Sequence, residues 1–559
     1  NRDGLKSYAT SGQSEQDIYS LFFTQEAWDE YNLTEEDYKL QQAITAAQKA
    51  DKKEDDEDED KKETKKDSTK VEDLTFDWDG IHDRTKRMTI HSSRLGDAVL
   101  SKDGEKLYYL SRFEDKLNLW VTNLRTKETK MELELGASNG SLEWDRKQEN
   151  LFLLSSGQIS KIDLDKDKKT AVKLQGEMTF DQEAERQALF DHVWLRTNAV
   201  FYHSNFHGID WDSMRVEYEK YLPSIGNEFE MTELLSEMLG ELNVSHAGAR
   251  YRPSGFDNPD ETASLGIFMD YDHTGNGIRI EEIVKGGPLD RAAFDIKAGM
   301  VIERINGELI AADRDVAGYL NRLEDDFTLL ELVDPATDER TTITVKPISQ
   351  SEENRLLYKR WVKRNEEEVN EKSKGQLGYV HIPGMSDEPY RSIYQDMMGK
   401  YFEREGMIID TRFNGGGDLV ADLAMFFTGV PFISYATEQK VVGGEPTSRW
   451  TKPTLALINE AQYSDGHCFA AGYTDLKIGK TVGMPTPGTC SFAGWERLPN
   501  GIVWGVVPVS ARDIDGDWME NNQTEPQIKV KNMPGVVATG RDQQLERAIQ
   551  EMLDDIGSR

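Results

Sequence analysis

The sequence predicts a multidomain α+β protein: a strand-repeat region, a helical segment, a small β-rich module and a C-terminal α/β layer domain. Three observations carry this. The chain has 559 residues, too many for one core and enough for about three to five domains. Short alternating strands recur at a spacing of roughly 40 residues within residues 75–180. Toward the C-terminus, compact apolar runs such as Gly378-Tyr-Val-His-Ile382 and Met407-Ile-Ile-Asp410 alternate with turns and helix-forming stretches.

Composition narrows the function. A formal net charge of −35 excludes nucleic acid as a partner, because phosphates need Lys and Arg, and it disfavours an anionic membrane surface. No apolar run approaches the roughly 20 residues of a spanning helix. The chain opens Asn1-Arg-Asp-Gly without a signal-like segment, so a piece of a longer protein is expected, its targeting signal out of view. Two cysteines, Cys468 and Cys490, neither define a disulfide framework nor exclude one bond. The apolar neighbours of Cys468 suggest a small core residue, and the compartment stays open.

Residues 1–74 form a polar N-terminal segment with helical stretches at 25–31 and 35–49. Residues 51–70 lack any apolar side chain and cannot offset ordering entropy by burial, so a disordered or solvated insert is expected there. In residues 75–180, Leu107-Tyr-Tyr-Leu110 is echoed by Leu151-Phe-Leu-Leu154, and the run from Leu119 by the run from Ile159. That period belongs to four-stranded propeller blades. About two blades fit, fewer than a closed propeller needs, so a partial β-propeller is expected; a plain meander is the alternative.

Residues 181–257 read as helical. Thr232 is expected to cap a segment in which Leu235, Met238, Leu239 and Leu242 share one face, before Ser245-His246. Residues 258–350 carry Ser264-Leu265-Gly266-Ile267-Phe268, then Gly286-Gly287-Pro288-Leu289, Gly299-Met300-Val301-Ile302 and Ile305-Asn306-Gly307. This order resembles a PDZ domain, which adds a peptide strand to a sheet edge; the Asn-Gly suits a tight hairpin. Residues 351–559 open with a charged helix at 355–371. They close with a helix at 542–556 that buries Leu545, Ile549, Met552 and Leu553.

The candidate site begins at Ser464-Asp465-Gly466. An apolar run, Leu455-Ala-Leu-Ile458, precedes it and a helix-forming stretch follows. A serine on a strand-to-helix turn exposes its hydroxyl beside backbone N–H groups at the positive end of a helix. Asn414-Gly415-Gly416-Gly417 follows another strand, and its glycines let the backbone approach a ligand. A phosphate cradle is the first alternative, but no Gly-Lys-Ser/Thr ending and no G-x-G-x-x-G is present. An oxyanion hole shared by Gly417 and Asp465 fits better. No H-E-x-x-H or Cys/His cluster suggests a metal, and no cofactor is expected.

Together these motifs resemble the C-terminal half of the tricorn protease family, which is related to the C-terminal processing peptidases. The resemblance covers most of residues 75–559. It implies an α/β, crotonase-like serine peptidase domain. Ser464 is the implied nucleophile, His246 the general base, and Ser245 and Glu520 (in Met519-Glu520-Asn521) the groups that complete a tetrad. Gly417 and Asp465 supply the implied oxyanion amides, and Gly415, Gly416 and Tyr435 the implied substrate contacts. Tyr435 falls where the archaeal-type enzyme has an acidic residue, so an apolar or mixed P1 pocket is expected. His467 and His381 are read as structural. The implied substrates are peptides or unfolded polypeptides, and the implied assembly is a homo-oligomer, a hexamer, with sites completed across subunits. The implied location is cytoplasmic, with the periplasm as the alternative.

Two rivals stay open. One is a catalytically inactive PDZ and propeller scaffold that binds peptides. The other is a Ser-Lys processing peptidase; its lysine, expected in a V-G-x-x-T-x-G-K-G stretch, is replaced by Thr489 in Val482-Gly-Met-Pro-Thr486-Pro-Gly488-Thr489.

Overall fold

The computed structural model describes residues 16–55, 74–90, 93–113, 116–177, 179–253, 255 and 258–558. It divides into two compact units with the boundary between Phe180 and Asp181.

In the first unit, Arg94–Leu100, Lys106–Arg112, Leu117–Asn123 and Thr129–Ala137 form one antiparallel four-stranded meander. Ser141–Trp144, Leu151–Ser155, Gln158–Asp163 and Lys168–Ala171 form another. The segments that echo one another in sequence occupy the second and third strands of each sheet. Leu110, Leu119, Leu142, Leu151 and Leu153 bury one shared core. Ahead of the sheets, the helix Glu35–Asp55 continues into the stretch expected to be disordered. Thr34 starts it by accepting from Asp37 N at 3.1 Å, and the Lys- and Glu-rich sequence that follows has good helix propensity even without burial. Residues 56–70 of that insert lie outside the described residues.

The second unit begins with three helices, Gln182–Val200, Trp211–Glu219 and Glu228–Gly240. Asn227, not Thr232, caps the third. Its Oδ1 accepts from Glu230 N at 3.0 Å while Glu230 reaches back to Gly226 N at 2.6 Å, a reciprocal capping arrangement. Thr232 sits a turn inside and donates to the Glu228 carbonyl at 2.7 Å, the usual fate of a hydroxyl within a helix. Leu235, Met238, Leu239 and Leu242 are buried as the periodicity predicts, and they pack against Trp504, Val506 and Val507. Those three belong to the hairpin Ser491–Arg497/Val503–Ser510, whose free edge pairs with Gly248–Arg250. One core and one small sheet therefore hold the residues around His246 against the C-terminal domain.

Residues 262–348 form a β-rich module built on Ile267–Met269, Ile278–Ile283, Val301–Ile305, Thr328–Asp334 and Glu339–Val345. Asn306 and Gly307 both take positive φ (49° and 80°), the conformation of a two-residue hairpin turn, and join Val301–Ile305 to Glu308–Leu309. A cleft of about 720 Å³, lined by Leu265, Ile267, Met269, Val316 and Leu320 among others, opens on this module.

The C-terminal domain is a parallel sheet in the order Leu377–His381, Gly406–Asp410, Thr454–Ile458, Lys480–Gly483, Ile528–Lys529. Both faces are covered, as parallel strands require. Ile409, Ala456 and Ile458 pack toward Leu423, Phe426 and Phe469. Ile408, Leu455 and Leu457 pack toward Leu545, Ile549 and Met552 of the helix Gln543–Gly557.

At the end of the second strand, Arg412 is 1% exposed. It pairs with Asp410 at 2.6 Å and Asp542 at 2.7 Å and donates to Gln544 Oε1 at 3.0 Å. Burial pushes the Asp410 carboxyl up, but the adjacent guanidinium outweighs it and leaves the group below its ordinary range. Arg412→Met would strand two buried carboxylates, at a cost of about 3–5 kcal/mol. Urea unfolding of residues 181–559 within the full chain is expected to show a loss of that size.

Candidate active site

Ser464 stands between the strand Thr454–Ile458 and the helix Asp465–Asp475. Its backbone is at φ 55°, ψ −124°, a conformation that L-residues hold only where the surroundings enforce it. The enforcement is visible. Ser464 N donates to Thr489 Oγ1 at 2.9 Å, and the Ser464 carbonyl accepts from His467 N and Cys468 N in the first turn of the helix. The site lies at the C-terminal end of the sheet, where open α/β sheets bind ligands.

Ser245, His246 and Glu520 meet in one hydrogen-bonded chain. Glu520 accepts from Ser245 N at 2.5 Å and from Ser245 Oγ at 3.0 Å. Ser245 Oγ lies 2.8 Å from His246 Nδ1. A carboxylate only accepts, so the Ser245 hydroxyl donates to it and takes the Nδ1 proton bond itself. That fixes the tautomer, with hydrogen on Nδ1 and a lone pair on Nε2. Glu520 therefore acts on His246 through Ser245. The ring lies 4.7 Å from that of Tyr463, and His246 N donates to Tyr463 Oη at 2.8 Å. Tyr463 is the residue before Ser464, so the two sides of the site are tied by direct contact. Among the described residues no hydrogen bond joins Ser464 Oγ to the imidazole.

The glycine loop abuts the serine. A Cβ on Gly416 would come within 2.6 Å of Ser464 Cβ, and one on Gly417 (φ 144°) would collide with the Met385 carbonyl. Gly415 N donates to Pro383 O at 3.3 Å and Gly416 N to Asn414 Oδ1 at 2.8 Å. These two amides are used within the loop; the Asn414 side chain forms the turn that takes one of them. Gly417 N and Asp465 N remain. Asp465 also accepts from Leu419 N at 2.7 Å and Val420 N at 3.1 Å, capping the helix Val420–Thr428 and tying the glycine loop to the serine turn.

The remaining residues have their own partners. Tyr435 is 45% exposed on the hairpin Ile433–Ala436/Val441–Glu445. Its hydroxyl donates to Glu445 at 2.7 Å, and no described hydrogen bond or ring contact links it to Ser464 or His246. His467 is buried between Thr524 Oγ1 (3.0 Å) and Thr489 N (3.1 Å). His381 lies between Tyr358 Oη and Arg412 O. Cys468 is not a free core residue; it forms a disulfide with Cys490, because the chain after the fourth strand folds back over the serine helix. Ser491 is new to the site, with Oγ 3.0 Å from Ser245 Oγ and 3.2 Å from His246 Nδ1. Tyr463 and Thr489 are new in these contacts too. Only adjacency to Ser464 could have singled out Tyr463, and nothing in the sequence singles out Ser491.

Residues 376–530 match the family model Peptidase family S41, and residues 182–240 match the Tricorn protease C1 domain. The chain is similar to the tricorn proteases, and within it residues 376–530 match peptidase family S41. A tricorn-like protease C-terminal subunit named in Sulfurisphaera tokodaii is 29% identical over 393 residues, 67% of this chain and 44% of its own length. The tricorn protease of Thermoplasma acidophilum is 27% identical over 357 residues, 61% of this chain and 32% of its own. The tricorn-like chain thus spans less than half the length of these curated relatives. A crystal structure of the tricorn protease aligns with a TM-score of 0.73 over 88% of this chain and 49% of that one, at 18% identity, a likeness of fold. Among the described residues no helix is long and apolar enough to cross a membrane.

Burial lowers His246 to about 4 and His467 to about 4, and pushes Asp465 up to about 6. Both imidazoles are neutral at pH 7. An unfolded histidine titrates near 6.5, so below that pH the unfolded chain binds more protons, and stability falls between about 6.5 and about 4. Asp465 opposes this below about 6, one group against two. NMR titration is expected to place the His246 midpoint well under 6.5; a midpoint at or above 6.5 would contradict burial as its dominant influence.

Proposed function

We propose that this chain is a serine peptidase that cleaves peptides and unfolded polypeptides through an acyl-enzyme on Ser464. The observation that carries the reading is the Glu520–Ser245–His246 hydrogen-bonded relay, whose imidazole packs on Tyr463, the residue before a serine held on a strained strand-to-helix turn. Serine needs such a base to act as a nucleophile. His246 Nε2 takes the Ser464 proton as Oγ attacks the scissile carbonyl, and Ser245 with Glu520 stabilises the imidazolium. The amides of Gly417 and Asp465 receive the oxyanion, His246 passes its proton to the leaving amine, and water reverses the sequence. The hydrogen bond between Ser464 and His246 forms when substrate fills the site, as catalytic hydrogen bonds that are long in the free enzyme do.

The remaining readings follow from this one. The module at 262–348 acts as a PDZ domain, its cleft taking a peptide strand. The two meanders of the first unit are propeller blades. Assembly into a homo-oligomer, a hexamer by resemblance, brings further substrate contacts, while the Glu520–Ser245–His246 relay is built within one chain. The P1 pocket is apolar or mixed. The Ser-Lys alternative is disfavoured because Thr489 holds the Ser464 amide where a lysine would stand. Of the two compartments considered, the Cys468–Cys490 disulfide favours the oxidising, periplasmic one.

Fluorophosphonate labelling with mass-spectrometric mapping tests the reading. The label is expected on Ser464, absent from Ser464→Ala and strongly slowed in His246→Ala. Turnover of a peptide substrate should fall by roughly 10⁴–10⁶-fold in either variant. Peptide binding with no label on an assembled particle would establish the scaffold reading instead. Activity retained in His246→Ala would favour the Ser-Lys mechanism.

A further inference from the structure

One short segment, residues 486–491, touches the serine turn, the Ser245–His246 pair and the turn that carries Glu520. Thr489 Oγ1 accepts from Ser464 N at 2.9 Å. Ser491 Oγ lies 3.0 Å from Ser245 Oγ and 3.2 Å from His246 Nδ1. Gly488 O accepts from Asn521 N at 2.9 Å, beside Glu520, and Thr486 exchanges backbone bonds with Thr524. Thr489 and Ser491 are both buried, so their hydroxyls are held in place by the protein rather than by solvent.

Between those two residues sits Cys490, bonded to Cys468 with a Cα–Cα distance of 5.3 Å. Cys468 lies on the helix that Ser464 opens, and its N–H donates to the Ser464 carbonyl at 3.2 Å. Cys490, Met519 and Ala471 are buried together, with Cys468 and Ala511 against them. The disulfide therefore joins the helix that carries the nucleophile to the dipeptide neighbours that contact the nucleophile's amide and the base. Thr486 is also anchored by its pairing with Thr524 and Ser491 by its pairing with Ser510; between them, residues 489 and 490 are held besides the disulfide by hydrogen bonds such as Ala511 N to Cys490 O at 3.1 Å and Thr489 N to His467 Nδ1 at 3.1 Å.

Resting on the peptidase reading above, we propose that the Cys468–Cys490 disulfide clamps residues 489–491 as a positioning element, with Ser491 a positioning residue for the His246 imidazole. Ser245 Oγ is already committed to Glu520, so Ser491 Oγ is the second oxygen available to the Nδ1 proton. It limits rotation of the ring about the Ser245 contact. Breaking the clamp frees Thr489 and Ser491 to drift together, so the serine turn and the base lose their common reference. A displacement of about 1 Å at this point can cost about 100-fold in rate. Substrate contacts lie elsewhere and are spared, so the loss falls on kcat and not on KM.

The test uses the full chain. Oxidised protein, protein reduced with a phosphine and verified by thiol alkylation, and the Cys468→Ser/Cys490→Ser double variant are compared with Ser491→Ala and Ser491→Thr. Rates are expressed per Ser464 competent for fluorophosphonate labelling, and melting is recorded on the same samples. The expected result is a 10- to 100-fold fall in kcat at unchanged KM on reduction, reversed by reoxidation and reproduced by the double variant. Ser491→Ala should fall similarly, with a shifted acid limb of kcat/KM and partial rescue in Ser491→Thr. Equal kcat per labelled site in oxidised and reduced protein would overturn the clamp, including where total activity falls only with the folded fraction. An oxidised chain that never labels at Ser464 would overturn the peptidase reading itself, and the clamp with it.

Discussion

A guanidinium removed from water must satisfy its donors inside the protein, and Arg412 does so by drawing Asp410, Asp542 and Gln544 onto itself. This fixes three otherwise separate parts of the C-terminal domain: the end of a central strand, the start of the last helix, and the turn that enters the glycine loop. Asn414 follows two residues later, its Nδ2 donating to Ile382 O at 2.8 Å and its Oδ1 accepting from Gly416 N. The loop's course toward Ser464 is thus set by a buried charge rather than by apolar packing. Such a pair contributes little net stability over a hydrophobic replacement, but removing one partner is costly. Its value here is geometric.

The opposite wall of the site is set by packing. Leu235, Met238 and Leu239 share a core with Trp504 and Val506, and the strand Gly248–Arg250 pairs with Val503–Ser510 directly after His246. His246 is therefore positioned by a hairpin that belongs, in sequence, to the C-terminal domain. That hairpin begins at Ser491, the residue whose hydroxyl meets His246, and it is preceded by the disulfide-bonded Cys490. Hydrophobic burial brings the parts together, and short polar contacts then set their angles.

Much of this was legible in the sequence, for identifiable reasons. The buried parallel strands announce themselves as continuous apolar runs, and Asn306-Gly307 as a two-residue hairpin turn. Ser464, Ser245, His246, Gly417, Asp465 and Glu520 were picked out by motif order, and the structure brings them to one end of one sheet. What escaped depended on distant neighbours. Thr232 looked like a cap because it precedes an apolar face, but Asn227 with Glu230 satisfies more of the helix's free N–H groups. Cys468 looked like a core residue because its local neighbours are apolar; its partner is brought back only by the tertiary fold. Ser491 lies in a strand with no motif around it.

The elements that meet at Ser464 are widely scattered along the chain. Tyr463 and His246 are 217 residues apart, and Glu520 and Ser245 are 275 apart, with the whole β-rich module between them. A ribosome therefore releases the imidazole long before the hydroxyl, and the carboxylate that orients the imidazole later still. Until residue 520 has emerged and the sheet has closed over so large a loop, a growing chain holds only disconnected fragments of the proposed hydrolytic centre. On the proposed reading, silence during biosynthesis is thus written into the order of the parts.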